Sequence, residues 1–406
     1  MAEPFLRRRR ASFAACAAAV FLAACGGGGG DGTPSAAAPG GAGAAAATPQ
    51  VALSSSASQF LNLDIAQVLD YAPHLPPFYD AGVAALDNTP ADNALDNKVA
   101  TLGRVIFHDV RLSVGDNVAC ATCHQAANDF ADSKRFSVGF DGSVGTRHAP
   151  RLANLRYWKP GNMFWDRRAP TLEAQSTLPV QNPVEMGFDV AHGGMPIVLD
   201  KMTRQPYYPE LFSFAFGDPQ ITEARVQKAL AQYMRAMVST GSRWDDGYAQ
   251  TFDPSLPDKG LDKPVPTLTA QEDRGRHLFM ALPSAGGLAC AVCHVPPTFA
   301  LAANSLGNGL DAGETTVFKA PSLKNVGRST NFMHDGRFTT LEEVVDHYAS
   351  GVQDGPALDP RLKGPDGKPR VRTITPDDKA ALVAFLKTLS DPVLSADPRF
   401  ADPFRH

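Results

Sequence analysis

The sequence is short of several features that would assign it to a large class of proteins. It holds only six cysteines in 406 residues, and four of them lie in two short motifs, so no structural disulfide is expected. The formal net charge of -4 argues against nucleic acid as a partner and offers no basic patch for a membrane surface. No apolar run reaches the length of a comfortable membrane span, and no alternating stretch predicts a strand. What remains is a helical globular protein, large enough for two domains.

The N-terminus has the composition of an export signal. Four arginines at 7–10 precede an apolar stretch over 11–24, and Leu-Ala-Ala stands directly before Cys25. This order resembles a bacterial lipobox, in which the cysteine becomes the lipidated first residue; Ala-x-Ala cleavage with Cys25 incidental is the alternative. We expect a lipoprotein signal peptide over 1–25 and a flexible Gly/Ala-rich tether over 26–60. The mature protein would then be periplasmic and lipid-anchored to the membrane only through Cys25.

Two Cys-x-x-Cys-His motifs, at 120–124 and 290–294, are the most informative feature of the chain. In this motif both thiols form thioethers to the vinyl groups of a haem, and the histidine becomes an axial ligand of its iron. A thioredoxin-like redox pair or half a zinc site would not explain a histidine after the second cysteine in both motifs. We expect two covalently bound haem c groups, attached through Cys120, Cys123, Cys290 and Cys293 and ligated by His124 and His294.

The apolar residues outside the N-terminus recur at helical spacing. Between 95 and 106 they follow one helix face behind Asp92, which predicts a helix leading toward the first motif. Thr269 and Thr340 are each followed three residues later by a glutamate, a capping-box pattern that opens a helix. Thr375, which precedes a proline, opens a final helix. These patterns predict an all-α fold.

A short internal repeat precedes the haem motifs. The sequence Gly-Arg-x-x-Phe stands at 103–107 and again at 275–279, at a similar distance before each motif. A Pro-rich stretch at 257–266 separates the two copies. We therefore expect two cytochrome c-like domains, each carrying one covalent c-type haem, over residues 61–265 and 266–406.

Several segments outside the haem motifs form a specific combination. They read Phe-Trp-Asp at 164–166, Leu-Pro-Val-Gln at 178–181, Phe-Lys-Ala-Pro-Ser-Leu-Lys-Asn-Val at 318–326 and Phe-Met-His-Asp-Gly at 332–336. In this combination the chain resembles the bacterial dihaem cytochrome c peroxidase family, which includes the MauG-type enzymes, over roughly residues 90 to 390. The resemblance implies hydrogen peroxide as substrate, a peroxidatic haem at the first motif and an electron-transfer haem at the second.

The resemblance also points to three catalytic residues. Gln175 and Glu185 align with the family's active-site glutamine and catalytic glutamate, and Trp165 aligns with a tryptophan between the two haems. Peroxide chemistry needs a group that moves a proton between the two oxygens and a dipole that stabilises the polarised bond. The apolar neighbours of Glu185 should raise its pKa toward a usable value. Taken alone, Glu185 could equally be a surface carboxylate, Gln175 an exposed helix residue and Trp165 a packed core residue.

At the first haem the sequence departs from the reductively activated members of the family. In those enzymes a histidine after the first motif caps the iron, whereas the matching residue here is Phe140, which cannot ligate. The first haem should therefore be open at rest. His148 is the rival ligand, although it aligns with a family asparagine near an interdomain calcium site.

A second departure concerns the other haem. Ordinary members carry a methionine as its distal ligand, and the matching residue here is Tyr348, as in MauG-type enzymes. Tyr348 shares a helical face with apolar residues, so it is expected to point inward. His347 is the second candidate ligand. The remaining alternative is that Tyr348 is a packed core residue that binds no metal. An anionic oxygen donor would stabilise ferric and higher iron states.

The expected function is that of a dihaem peroxidase that reduces hydrogen peroxide to water, with electrons relayed through a His/Tyr haem and both haem centres storing oxidising equivalents. The electron donor would be a small cytochrome c or a cupredoxin. Alternatives are a MauG-like oxidase that modifies a partner protein at a side chain, and a non-enzymatic dihaem electron carrier. Calcium is a further candidate cofactor, for which His148 would be a poor ligand while Ser329 and Asn331 supply carbonyls.

Overall fold

The computed structural model describes residues 52–406. The signal peptide, Cys25 and the tether up to residue 51 lie outside the described residues. Residues 52–406 lie within a single compact unit. No helix in this part of the chain is long and apolar enough to cross a membrane. The division into two domains at residue 265 stays a prediction.

The described chain is mostly helical. Its α-helices are α1 Ser55–Ser58, α2 Ala81–Ala84, α3 Asn97–His108, α4 Cys120–Cys123, α5 Leu172–Ser176, α6 Gly194–Thr203, α7 Tyr208–Phe216, α8 Glu223–Arg235, α9 Arg243–Thr251, α10 Ala270–Met280, α11 Leu341–Asp346 and α12 Pro376–Thr388. A π-helical turn, His347–Gly351, continues α11. Short 3-10 turns lie at Ala91–Asn93, Val110–Leu112, Ala126–Asn128, Leu155–Tyr157, Val190–His192, Pro283–Ala285, Cys290–Val292, Val326–Arg328, Pro360–Leu362, Leu394–Ala396 and Pro398–Phe400.

One small antiparallel ladder interrupts the helical pattern. Strand β1, His294–Val295, pairs with strand β2, Ala300–Leu301, with His294 opposite Leu301. The sequence did not predict this ladder, because two residues per strand are too few to show an alternation. It folds the chain back directly after the second haem motif.

Most predicted helix starts are confirmed. Thr269 and Thr340 form complete capping boxes with their glutamates, and Thr375 caps α12. The start of α3 is different: Asp96 caps it, whereas Asp92 lies in a separate 3-10 turn. The predicted tether also ends earlier than residue 60, because Ser54 caps a short helix whose Ala57 is fully buried.

The Gly-Arg-x-x-Phe repeat has a structural counterpart in two closely packed helix pairs. Helix α3 packs on α8, and a Cβ atom at Gly103 would lie 2.1 Å from the carbonyl oxygen of Ala229. Helix α10 packs on α12, and a Cβ atom at Gly275 would lie 1.9 Å from the carbonyl oxygen of Ala381. Only glycine permits such an approach. The helix before each haem motif is therefore fixed by the same device.

The structure shows a second repeat. A β-bridge between Met163 and Ala169 closes one loop, and a bridge between Phe332 and Phe338 closes another. Each loop is followed, at the same spacing, by a threonine-capped helix, α5 or α11. Trp165 is the third residue of the first loop and His334 is the third residue of the second.

The buried apolar side chains form two main clusters. The first core is built chiefly by α3, α6, α7 and α8, and the second core chiefly by α9, α10 and α12. Aromatic rings dominate the second core, where Trp244 stacks on Tyr248 with ring centroids 4.8 Å apart. Beside this stack, the fully buried ammonium of Lys324 pairs with the buried carboxylate of Asp245.

The two ends of the described chain meet on the first core. Leu61 forms a β-bridge with Phe404, and the N–H of Asn62 donates to the carbonyl oxygen of Pro403 at 2.7 Å. Leu394 and Phe400, close to the C-terminus, are buried in the first core. The C-terminal segment therefore completes the packing around the first haem motif.

Candidate haem and peroxide site

His124 of the first motif is oriented and neutral, as a metal-binding histidine must be. Cys120 and Cys123 lie at the two ends of α4, and His124 follows directly. The His124 Nδ1 atom lies 2.7 Å from the carbonyl oxygen of Phe130, which orients the ring and leaves Nε2 for a metal. Burial lowers the pKa of His124, so the imidazole is neutral. This set of donors fits a covalently attached haem.

A cavity of about 360 Å³ lies beside the first motif. Five of the residues selected from the sequence line it: Cys123, His124, Trp165, Gln175 and Glu185. They come from four separate segments of the chain, so the fold brings them together from a distance. The cavity thus brings the first Cys-x-x-Cys-His motif together with a carboxyl group and an amide, groups that can transfer a proton and orient a small polar ligand.

Glu185 has the electrostatic properties of a proton acceptor. Burial raises its pKa to about 6, and the guanidinium of Arg168 opposes this rise. The side chain of Asn182 donates a hydrogen bond to the Glu185 Oε1 atom at 2.9 Å, which orients the carboxylate. A carboxyl group with this pKa exchanges protons readily near neutral pH.

Gln175 reaches the cavity from the short helix α5. Thr171 caps that helix by accepting a hydrogen bond from the N–H of Ala174 at 3.1 Å. Helix α5 packs on α8, which fixes its position relative to the first core. Gln175 thus lies on an anchored element beside the cavity, as a group that orients a small polar substrate should.

Trp165 joins segments that belong to the two haem motifs. Its indole N–H donates to the carbonyl oxygen of His148 at 2.7 Å, and its own carbonyl oxygen accepts from the N–H of Lys319 at 2.7 Å. The ring meets the imidazole of His334 edge to face, with centroids 6.5 Å apart. The indole is therefore held from both sides.

Phe140 and His148 were compared as possible axial ligands of the first haem, and they lie in different places. The ring of Phe140 packs on Gly187, where a Cβ atom would lie 2.4 Å from it, and Phe140 does not line the cavity. His148 is buried and does line the cavity. Its Nδ1 atom lies 3.2 Å from the carbonyl oxygens of both Lys134 and Arg135, so Nε2 is its only free ring nitrogen.

The second motif lies beside Tyr348. Burial raises the pKa of Tyr348 to about 12, and a hydrogen bond from Asn308 and the nearby Cys290 and Cys293 also act on the phenol. Burial lowers the pKa of His294 to about 4, and its Nδ1 atom has no hydrogen-bond partner among the described residues. A buried neutral imidazole beside two thiols fits a haem at this motif too.

The π-helical turn decides which side chain faces the second motif. Tyr348 lies in this turn, and such turns are frequent at functional sites. His347 directs its Nε2 atom to the carbonyl oxygen of Asn308 at 3.0 Å, so the rival ligand is already engaged. The sequence pattern predicted Tyr348 on a regular helical face. The regular helix α11 ends at Asp346, one residue before His347.

A buried lysine escaped the sequence reasoning. Lys319 lines the cavity and is 9% exposed, with its ammonium 3.8 Å from the sulfur of Met163 and 5.7 Å from the centre of the Trp158 ring. Burial lowers its pKa to about 8. The segment 318–326 contributed to the family resemblance, but nothing in its sequence predicted that Lys319 would be buried.

The side chains of the residues expected at a calcium site have hydrogen-bond partners, and these contacts do not involve the backbone carbonyl oxygens of Ser329 and Asn331. The Ser329 hydroxyl accepts from Arg151 at 3.0 Å, and the Asn331 amide donates to the carbonyl oxygen of Gly336 at 3.0 Å. The imidazole of His148 takes two carbonyl oxygens that a calcium ion could use. A calcium site stays a prediction.

Fold and site together define a helical haem-dependent oxidoreductase. The family model for di-haem cytochrome c peroxidase matches residues 97–251 and 269–369. The chain belongs to this family, and it is an oxidoreductase of the cytochrome c peroxidase type that uses hydrogen peroxide as acceptor.

Named relatives span the peroxidase and MauG branches. The methylamine utilization protein MauG of Methylorubrum extorquens is 33% identical over 316 residues, covering 74% of this chain and 80% of the relative. The cytochrome c551 peroxidase of Nitrosomonas europaea is 27% identical over 311 residues, covering 72% and 80%. A crystal structure of a MauG-like protein associated with microbial copper homeostasis has a TM-score of 0.63 and 29% identity, covering 78% of this chain and 96% of that one.

Proposed function

We propose that this protein carries two covalent haem c groups and reduces hydrogen peroxide to water at the cavity beside His124. The first haem would be attached at Cys120 and Cys123 and the second at Cys290 and Cys293. A bound haem supplies an iron that takes up the peroxide and the electrons that reduce it. The observation that carries the proposal is the single cavity shared by His124, Trp165, Gln175 and Glu185.

The protein's own residues manage the protons of the reaction. Reduction of one hydrogen peroxide to two waters consumes two electrons and two protons. Glu185, with a pKa of about 6, accepts the proton of the incoming peroxide and returns it to the departing oxygen. Gln175 orients the oxygens, and Asn182 keeps the carboxylate of Glu185 in place through the 2.9 Å hydrogen bond.

The two electrons come from a reduced donor protein, a small cytochrome c or a cupredoxin, and enter the cavity from the second motif. Trp165 is a large, easily oxidised ring held between the cavity and His334, and it relays them. His294 and Tyr348 ligate the second haem in this proposal. The position of the Tyr348 phenol beside Cys290 and Cys293 supports that assignment.

The experiment that tests the proposal adds stoichiometric hydrogen peroxide to the diferric holoprotein and follows its optical spectrum. We expect a rapid change without prior reduction, and a much slower change in the Glu185→Gln variant. The exposed Glu342→Gln variant serves as the control and should match the wild type. A change that occurs only after one haem has been reduced would mean that a residue such as His148 caps the first iron.

Oxidation of a partner protein is the second candidate function. Two features together favour it: Phe140 lies outside the cavity, and Tyr348 lies beside the second motif. The similarity to MauG proteins is consistent with this function. Peroxide consumption without any added electron donor, accompanied by modification of a partner's side chain, would identify this activity. Two haems that bind no peroxide at all would instead identify an electron carrier.

We also propose a periplasmic location with a lipid anchor at Cys25. Covalent haem attachment and the lipobox-like sequence both support export. Labelling with a radioactive fatty acid should mark the wild-type protein and leave the Cys25→Ala variant unmarked.

A further inference from the structure

The surface around the second haem motif carries a cluster of cations in a mildly acidic protein. Residues 360–373, here called the basic loop, contain five basic residues and one acidic residue, although the whole chain carries a net charge of -4. The basic residues are Arg361, Lys363, Lys368, Arg370 and Arg372.

The basic loop is anchored to the second motif itself. The Arg361 guanidinium donates to the carbonyl oxygen of Val292 at 3.4 Å, and Arg372 donates to the carbonyl oxygen of Leu288. The N–H of Arg372 also donates to the carbonyl oxygen of Ala349, in the turn that carries Tyr348, at 2.7 Å. The loop therefore holds its charge at a fixed position beside the motif and the Tyr348 turn.

Part of this charge is available to a partner, although the half-buried guanidinium groups of Arg370 and Arg372 donate to the carbonyl oxygens of Lys363 and Leu288. Asp359 pairs with Arg361 at 2.6 Å, and Asp354 pairs with Lys363 at 2.9 Å. For Lys368, Arg370 and Arg372, no carboxylate of residues 52–406 lies within 4.0 Å of the side-chain nitrogens. Lys368 is also exposed to solvent.

Exposed apolar side chains lie next to these cations. Val292, between the two cysteines of the second motif, is 42% exposed, and Val295 is 37% exposed. In the basic loop, Val371 is 74% exposed. At the first motif the position that corresponds to Val292 is occupied by Thr122, which is exposed but polar. The position between the two cysteines is thus apolar at the second motif and polar at the first.

We propose that the basic loop, with Val292 and Val295, is the docking surface for an acidic electron-transfer protein, whose own exposed redox edge is ringed by carboxylates. Opposite charge steers the encounter, and the small apolar contact permits the rapid release that electron transfer needs. A partner with a basic rim would be repelled. This inference rests on the proposed function, because it names the class of donor that serves the second haem.

The test measures the oxidation of two reduced probes, an acidic plastocyanin and the basic cytochrome c of heart muscle, by the holoprotein turning over hydrogen peroxide. With the acidic probe we expect the second-order rate constant to fall about tenfold between low and high ionic strength. The Lys368→Glu variant should lose at least about threefold of this rate constant at low ionic strength. The matched control, Lys159→Glu, reverses the charge of an exposed lysine outside the basic loop and should leave it unchanged.

A second variant separates the apolar contact from the charge. Val292→Thr installs the residue of the first motif; it should slow the acidic probe while preserving its dependence on ionic strength. A faster reaction with the basic probe, or equal rates for Lys368→Glu and wild type, would overturn the docking inference. Preferential binding to phosphatidylglycerol vesicles through Lys368 would overturn it in favour of a membrane surface.

A small-molecule reductant separates the two levels of the proposal. Peroxide turnover with ascorbate does not require docking, so Lys368→Glu and Lys159→Glu should match the wild type in that assay. Normal turnover with ascorbate but no preference for the acidic probe would refute the docking surface alone. No turnover with either would refute the proposed function.

Discussion

Trp165 and His334 occupy corresponding positions in two β-bridged loops, and their rings meet edge to face with centroids 6.5 Å apart. The two loops therefore contact each other through the third residue of each loop. The contact lies at the edge of the cavity, and Trp165 is tied to both halves of the chain by hydrogen bonds. The junction between the two haem segments is therefore an aromatic pair.

Replacing Trp165 by phenylalanine should slow electron delivery without disturbing the peroxide site. We expect the steady-state rate with an electron donor to fall by about tenfold, or about 1.4 kcal/mol in the barrier, because phenylalanine is much harder to oxidise. Stopped-flow spectroscopy would show whether the first reaction with peroxide keeps its wild-type rate. A loss of that first step as well would give Trp165 a structural role instead.

The rate of the peroxide reaction should follow the ionisation of Glu185. The carboxylate form is the proton acceptor, and burial raises its pKa to about 6. The rate should therefore rise as the pH increases through about 6 and then level off. In the Glu185→Gln variant we expect a loss of about 10²–10⁴-fold and no inflection near this pH. A wild-type profile that stays flat between about pH 5 and about pH 7 would assign the proton transfer to another group.

Removing the Tyr348 hydroxyl should change the spectrum of one haem only. The Tyr348→Phe variant of the holoprotein should show an altered spectrum and a higher reduction potential at the second haem, because an anionic oxygen ligand is lost. His347→Gln is the matched control, since the His347 Nε2 atom is engaged by a carbonyl oxygen. If His347→Gln moved the spectrum and Tyr348→Phe did not, the two assignments would be exchanged.

An added methyl group should lower stability equally at the crossing of α3 with α8 and at the crossing of α10 with α12. Gly103→Ala and Gly275→Ala place a Cβ atom about 2 Å from a backbone carbonyl oxygen, and overpacking of this kind costs about 1–3 kcal/mol. At Gly145 the nearest atom to a new Cβ is 3.8 Å away, so Gly145→Ala should be nearly neutral. Denaturant unfolding of the holoprotein measures all three. Equal stability of the three variants would contradict the packing described above.

The buried ion pair of Lys324 and Asp245 should be sensitive to the loss of one partner. Lys324→Met leaves a buried carboxylate unpaired, which costs about 3–5 kcal/mol. The exposed pair of Lys263 and Asp253, at 3.7 Å, offers the control, because Lys263→Met should change stability by less than about 1 kcal/mol. Unfolding free energies from guanidinium titration compare the two variants directly.

Local patterns carried much of the fold. The capping boxes at Thr269 and Thr340 were readable because every interaction in them lies within three residues. The raised pKa of Glu185 was also readable, since its apolar neighbours are adjacent in the chain. The start of α3 was misplaced because Asp92 and Asp96 are equally good caps in sequence, and only packing selects between them.

Features that depend on distant segments were not readable. Lys319 has its buried surroundings from Trp158 and Met163, far earlier in the chain. The contact between Trp165 and His334 was not readable because it depends on how the two loops pack, although the loops share an aspartate, an arginine and a Thr-Leu-Glu sequence at matching positions. The π-helical turn at Tyr348 likewise has no signature in the spacing of apolar residues.

The pairing of the chain ends constrains the order in which the molecule is assembled. Leu394, Phe400 and Phe404 reach the first core only after both haem motifs have been made, because these residues follow both motifs in the sequence. The segment around the first haem motif therefore cannot finish folding while synthesis proceeds from the N-terminus. Truncation of the last dozen residues, although far from Cys120 in sequence, should expose the first core and leave the second nearly intact.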